Sequence, residues 1–306
     1  MKINALFAAL AAAGTWTFLP LQAADLGMTA PELKIKDWVK GEAVDLAAGK
    51  GKNVTVVEFW ATWCPPCRTS IPHLSELQAR FKDKGVTIVG ISDEPASKVK
   101  PFVAKMADQM NYVVAVDDAR KTSAAYMEAF GVNGIPHAFI VDQQGRIAWH
   151  GHPMAGLDTA IDDIVRGEYD LETAKRSLRA EKSMRDYFEI VADGTSTPKS
   201  KELGEAILAD ASANAGLMNQ FAWILLTHPR IKNPDLGLAA RAAKAAYDTS
   251  EGKDPSILDT YARAQFVSGK FQEAVDLQKK AIELCTEPEL KPQLEKTLKE
   301  YEAKTR

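Results

Sequence analysis

Hydrophobic and polar positions along the chain fall into two regimes that meet near residue 157. In the first, β-branched and aromatic runs alternate with helical periodicity. Residues 54–60 read as a buried strand interrupted by one acid, Glu58, and residues 86–91 as a second. Between them Ile71, Leu74, Leu77 and Phe81 recur at the spacing of an amphipathic helix over residues 68–82. The pattern then predicts a helix over 96–110, a strand over 112–117 and a helix over 123–129. Residues 138–142 and 147–150, around a turn at 143–146, predict a β-hairpin. Alternating βα units closed by a hairpin predict an α/β domain with a mixed sheet flanked by helices.

In the second regime the strand signals stop, and Ala, Leu, Glu and Lys recur at helical spacing. Residues 194–200 are polar and turn-forming, as a linker would be. The organisation expected is an α/β domain over 29–168, a helical connector and linker over 169–200, and an all-α domain over 201–306. With Pro255 as position 1, Leu258, Ala262, Gly269, Ala274 and Ala281 fall at 4, 8, 15, 20 and 27, which resembles the tetratricopeptide pattern. Small residues there let two helices cross closely, and the glycine turns the chain between them. A weaker copy precedes it, with Ala222 and Trp223 in one helix and residues 238–247 in the next. About two repeats are fewer than usually stand alone, so flanking helices such as 292–303 are expected to complete the core.

The first residues change the picture of where the chain works. Lys2, a mostly apolar run and the small residues after Leu21 have the layout of a secretory signal peptide over residues 1–23, cleaved after Ala23. The alternative is an uncleaved N-terminal membrane anchor, which Pro20 and the Ala-rich character of the run disfavour. Composition adds an exclusion. A net charge of −3 removes the electrostatic reason to expect a nucleic-acid partner.

The chain has 3 cysteines in 306 residues, too few for a disulfide scaffold, and Cys64 and Cys67 form a C-x-x-C pair. Half a zinc site is one reading, with His73 as the nearest further ligand, but tetrahedral zinc needs four ligands and no second C-x-x-C or H-x-x-x-H is present. An inert structural disulfide is another. A redox dithiol is favoured because the pair follows a strand and opens a helix, where unpaired N–H groups and the helix dipole stabilise a thiolate. No metal and no cofactor is expected. Cys285 reads as a small buried apolar residue late in a repeat helix.

Residues 57–67 (VEFWATWCPPC) and Gly134-Ile135-Pro136 resemble the strand, active-site motif and cis-proline segment of the thioredoxin superfamily. Residues 71–74, 136–142 and 149–153 are similar to those of its exported TlpA/ResA-like branch, and the resemblance covers residues 29–168. It implies a thioredoxin fold, a redox-active Cys64–Cys67 disulfide, Cys64 as the attacking thiol and Cys67 as the resolving one. Glu58 would be the buried acid beneath the pair, with a raised pKa, taking the proton of Cys67. Ile135 and Pro136 would wall the dithiol and, with Trp63, Pro65 and Pro66, contact the substrate. His137, His150 and His152 are read as structural or solvent-facing.

The activity implied is protein thiol–disulfide exchange in the periplasm, as a reductase fed by a membrane electron donor, with cytochrome c biogenesis among the implied roles. A dithiol oxidase or isomerase, or an adaptor whose repeat domain binds a protein partner, are the alternatives. A thiol peroxidase would need a Pro-x-x-x-Thr/Ser-x-x-Cys run, which residues 59–63 before Cys64 do not provide.

Overall fold

The computed structural model describes residues 24–304 apart from 193 and 195, so the expected signal peptide or anchor at 1–23 lies outside the described residues. The first half is one six-stranded sheet in the order β1-β4-β3-β2-β5-β6. Its strands are β1 (Ile35–Lys40), β2 (Val54–Phe59), β3 (Val86–Ser92), β4 (Val113–Asp117), β5 (His137–Val141) and β6 (Ile147–Gly151). β2, β3 and β4 run parallel, whereas β1, β5 and β6 pair antiparallel to their neighbours. The sheet is therefore mixed. β2 is buried at every position, as its unbroken apolar run requires for a strand with helices on both faces.

Successive strand residues point to opposite faces. One face carries Val56, Trp60 and Ile88 and is covered by α2 (Pro65–Phe81) through Cys67, Ile71, Leu74 and Leu77, by α3 (Ala96–Met106), and by α5 (Leu157–Arg166). The other carries Val57, Phe59, Val89 and Phe139 and packs against Tyr126 and Met127. A short helix, α1 (Leu46–Gly49), follows β1. Three local readings change. α2 starts at Pro65, because prolines fit the first helical positions, where no N–H is needed. The helix expected to reach residue 110 becomes a 3-10 turn after Met106. Residues 123–129 are mostly a π-helix, Ala124–Glu128, after the short α4 (Lys121–Ser123).

The second half, from α5 on, is helical: α6 (Leu171–Val191), α7 (Pro198–Asp210), α8 (Ala215–Thr227), α9 (Leu236–Thr249), α10 (Pro255–Val267), α11 (Phe271–Leu284) and α12 (Lys291–Glu302). α6 belongs to both halves. Leu171, Ala174 and Leu178 pack on the second face of the sheet, and Ala180, Met184, Tyr187 and Val191 enter the helical core. Close crossings rest on small residues: a Cβ on Gly204 of α7 would lie 2.6 Å from Leu238 Cδ2 of α9. Gly269, at φ +80°, turns α10 into α11. Among the described residues no helix is long and apolar enough to cross a membrane.

Candidate active site

The end of β2 and the start of α2 place the two cysteines. Cys64 is the N-cap of α2, in extended backbone, and its Sγ accepts a hydrogen bond from the Cys67 N–H at 3.2 Å. Negative charge developing on that sulfur would face the partial positive charge of the helix start. The pair is joined as a disulfide. Cys67 is fully buried and Cys64 is 2% exposed, whereas the adjacent Trp63 is 66% exposed. Both cysteines are thus covered, and Trp63, next to Cys64 in the chain, is the exposed side chain beside them. Among the described residues no three His, Cys, Asp or Glu side chains come together as a metal-ligand set.

Ile135 and Pro136 come from the loop before β5, and the peptide bond between them is cis. The Ile135 carbonyl oxygen lies 3.8 Å from Cys64 Sγ. Trp63, Ile135 and Gly134 line a cleft of about 430 Å³ with Met127, Asp93 and Arg120. Pro136 is buried, and Pro65 and Pro66 are exposed on the first turn of α2, outside that cleft lining. Next to Trp63, the Thr62 N–H and hydroxyl both donate to the buried Glu94 carboxylate, at 2.6 and 3.0 Å, fixing the loop that leads into the cysteines.

Glu58 is fully buried, and burial raises its pKa to about 8. It stands two residues from both Val56 and Trp60, so its carboxyl lies on the sheet face covered by α2 and Cys67. Neither carboxyl oxygen has a hydrogen-bond partner among the described residues. Such a group gives and takes a proton near neutral pH, as a general acid or base must. His137 and His150 meet at 3.0 Å between Nε2 and Nδ1, on the opposite face of the sheet beside Phe139. Burial, reinforced by His150 and His152, lowers the His137 pKa to about 4, and burial also lowers that of His150. Cys285 is buried at the C-cap of α11, against Leu258 and Leu294.

Pattern reading missed two residues beside Glu58. Gly90 pairs with Glu58 across β2 and β3, and Tyr112 reaches the same place from the segment before β4. Neither carries a local signal. A glycine in a strand can mark close approach of another group, and that is the one cue present.

Residues 25–155 match the family model described as Redoxin. The chain is similar to the thiol-disulfide oxidoreductase ResA of Bacillus thuringiensis (strain Al Hakam), 34% identical over 123 residues, covering 40% of this chain and 66% of the relative. It is 30% identical over 152 residues to the ResA of Geobacillus kaustophilus, covering 48% of this chain and 83% of that relative. Among solved structures it is similar to the thioredoxin domain of a thiol-disulfide oxidoreductase from Bacteroides vulgatus. There the identity is 26%, the coverage 46% of this chain and 99% of the other, and the TM-score 0.41. The family match ends before α5 and leaves the helical half outside it.

Proposed function

This chain belongs to the ResA-like family of thiol–disulfide oxidoreductases, and on that premise we propose that it reduces disulfides of other exported proteins through Cys64 and Cys67. The observation that carries the reading is the Cys64–Cys67 disulfide at the start of α2, next to the exposed Trp63 and on the sheet side where Glu58 is buried. In the reduced enzyme the Cys64 thiolate attacks a partner disulfide. One Cys64–partner S–S bond forms, the partner's S–S bond breaks, and the departing thiolate takes a proton from solvent. Glu58, as carboxylate, takes the Cys67 proton, and the Cys67 thiolate attacks Cys64 Sγ. The enzyme disulfide closes and the second partner thiolate leaves, so two electrons pass from enzyme to partner.

Trp63 and Ile135 in the cleft, and Pro65 and Pro66 exposed on the first turn of α2, receive the partner's extended backbone, with the buried Pro136 setting the course of the Ile135 wall. Electrons return from a membrane donor in the periplasm, reached by export through residues 1–23. The helical region over 201–306 is tetratricopeptide-like and recruits a protein partner, as stacked helical hairpins do on their concave side. Replacing Cys67 with Ser tests the reading, because a partner attacked by Cys64 can then no longer be released. A thiol-reversible adduct that forms with Cys67→Ser and is lost in the Cys64→Ser/Cys67→Ser double variant is expected. No adduct with exported proteins would contradict it.

A further inference from the structure

The cleft beside the dithiol gathers two backbone irregularities that the thiol chemistry does not use. It sits at the carboxyl ends of the parallel strands, where Phe59 closes β2 and Asp117 closes β4, the place where open α/β sheets receive ligands. Ala119 and Arg120 follow, two consecutive non-glycine residues in the left-handed region, at φ +52° and +63°. Such backbone costs energy and persists where its surroundings over-determine it, commonly at functional sites. Asp117 does so here. It is buried, and its carboxylate accepts the N–H of Thr122 at 2.9 Å and that of Ser123 at 2.8 Å, which pins the turn. The π-helix Ala124–Glu128 comes next, a second feature that concentrates at functional sites, and its Met127 and Glu128 line the same cleft.

The turn delivers one cation to two anions. Arg120 Nη1 lies 2.7 Å from Asp93 Oδ2 and Nη2 lies 3.4 Å from Glu128 Oε1, so one guanidinium bridges a carboxylate just after β3 and another on the π-helix. All three side chains are exposed, within reach of a partner. The charge does not balance. With Asp117 committed to backbone N–H groups, the charged lining left is Asp93 and Glu128 against Arg120 alone. The same cleft has an apolar lining from Trp63, Met127 and Ile135, and it adjoins the attacking sulfur, since the Ile135 carbonyl oxygen is 3.8 Å from Cys64 Sγ. A long basic side chain has matching parts, an aliphatic stem that packs on apolar surface and a charged head that stays at the rim.

We propose that this cleft selects partner disulfides whose attacked cysteine is flanked by a lysine or arginine, with Asp93 and Glu128 as specificity-determining residues and Arg120 as the internal cation that the partner displaces. This rests on the reading of Cys64 as the nucleophile towards protein disulfides and adds a preference to it. A partner that settles along Ile135 with its cysteine at Cys64 brings the neighbouring side chain into the cleft. The stem of a basic residue lies on Trp63 and Met127, and its head takes one of the two carboxylates that Arg120 shares. A neutral side chain leaves the bridge in place, and an acidic one meets a rim with excess negative charge. Exposed ion pairs are individually weak and are screened by salt, so the preference is modest and depends on ionic strength.

The test uses the full-length reduced chain and disulfide-linked dimers of one neutral peptide that carries Lys, Gln or Glu beside its cysteine. The rate is followed by tryptophan fluorescence as the enzyme dithiol is oxidised, and is divided by the rate of dithiothreitol with the same peptide to remove intrinsic reactivity. At low ionic strength the Lys peptide should react about fivefold faster than the Gln peptide, and the Glu peptide more slowly than either. The ratio should shrink as salt is added. In Asp93→Asn/Glu128→Gln it should fall to about one, and in Arg120→Gln it should rise, because both carboxylates are then free. A ratio taken within each protein is unaffected by a general loss of activity or stability in a variant. Equal rates for the three peptides with the wild type, or a Lys preference that survives in Asp93→Asn/Glu128→Gln, would overturn the proposal and leave the Cys64 reaction standing. Failure of every peptide to oxidise the reduced chain would instead remove the reading of Cys64 as the nucleophile, and the selectivity with it.

Discussion

A carboxyl buried without hydrogen-bond partners keeps its proton well above the usual carboxylate range, and this links the ionisation of Glu58 to stability. In the unfolded chain Glu58 ionises near the ordinary value of 4.5, in the fold at about 8. Between those values the folded state holds the extra proton, so its favourable contribution is full below the first and lost as pH rises through the second. Glu58→Gln should therefore raise the melting temperature, more at alkaline than at acidic pH, by an effect on the order of a few kcal/mol above the folded pKa. Melting curves of both proteins across that range check it. His137 has the opposite sign. Its pKa is lowered from 6.5 to about 4, so stability is present above the first value and is lost as pH falls towards the second. Replacing His137 with Gln should flatten the acid limb of the stability profile, which denaturant titrations at several pH values would show. The acid at position 58 and the C-x-x-C pair were legible because each stands against its local pattern. Tyr112 and Gly90 were not, because their meeting with Glu58 is a product of strand pairing alone.

At the scale of elements, the strands with unbroken apolar runs and the helices with clear periodicity could be read directly, and the exceptions have physical reasons. β1 escaped notice because it is an edge strand, mostly half-exposed, with Lys36, Asp37 and Lys40 breaking its pattern. The π-helix at Ala124–Glu128 keeps helical composition while changing the hydrogen-bond step, which composition does not report. Residues 194–200 read as linker, yet α7 begins inside them at Pro198, capped where Thr197 and Ser200 exchange side-chain to backbone hydrogen bonds at 3.0 and 2.9 Å. Thr197→Ala should cost about 1 kcal/mol by loss of that box, read as a lower denaturation midpoint at unchanged slope. Redox behaviour should not move, because α7 touches neither cysteine.

The whole molecule is held together by α6, one 21-residue helix whose first part packs on the sheet and whose second part packs in the helical core. Nothing in its own periodicity distinguishes a helix shared by two cores from a helix serving one. With α6 intact, loss of tryptophan fluorescence and loss of helical dichroism should coincide on heating. Lys182 is exposed in the middle of α6, so Lys182→Pro acts through the backbone, at a cost of about 3 kcal/mol. It should split that single transition into two. The Cys64–Cys67 disulfide and the family match both lie in the sheet half. The most direct measurement of the central claim is the reduction potential of Cys64–Cys67 in the full chain, equilibrated against defined thiol–disulfide buffers. A reductase should give a value near or below about −250 mV, whereas a value near about −120 mV would mark an oxidant that introduces disulfides and would contradict the account.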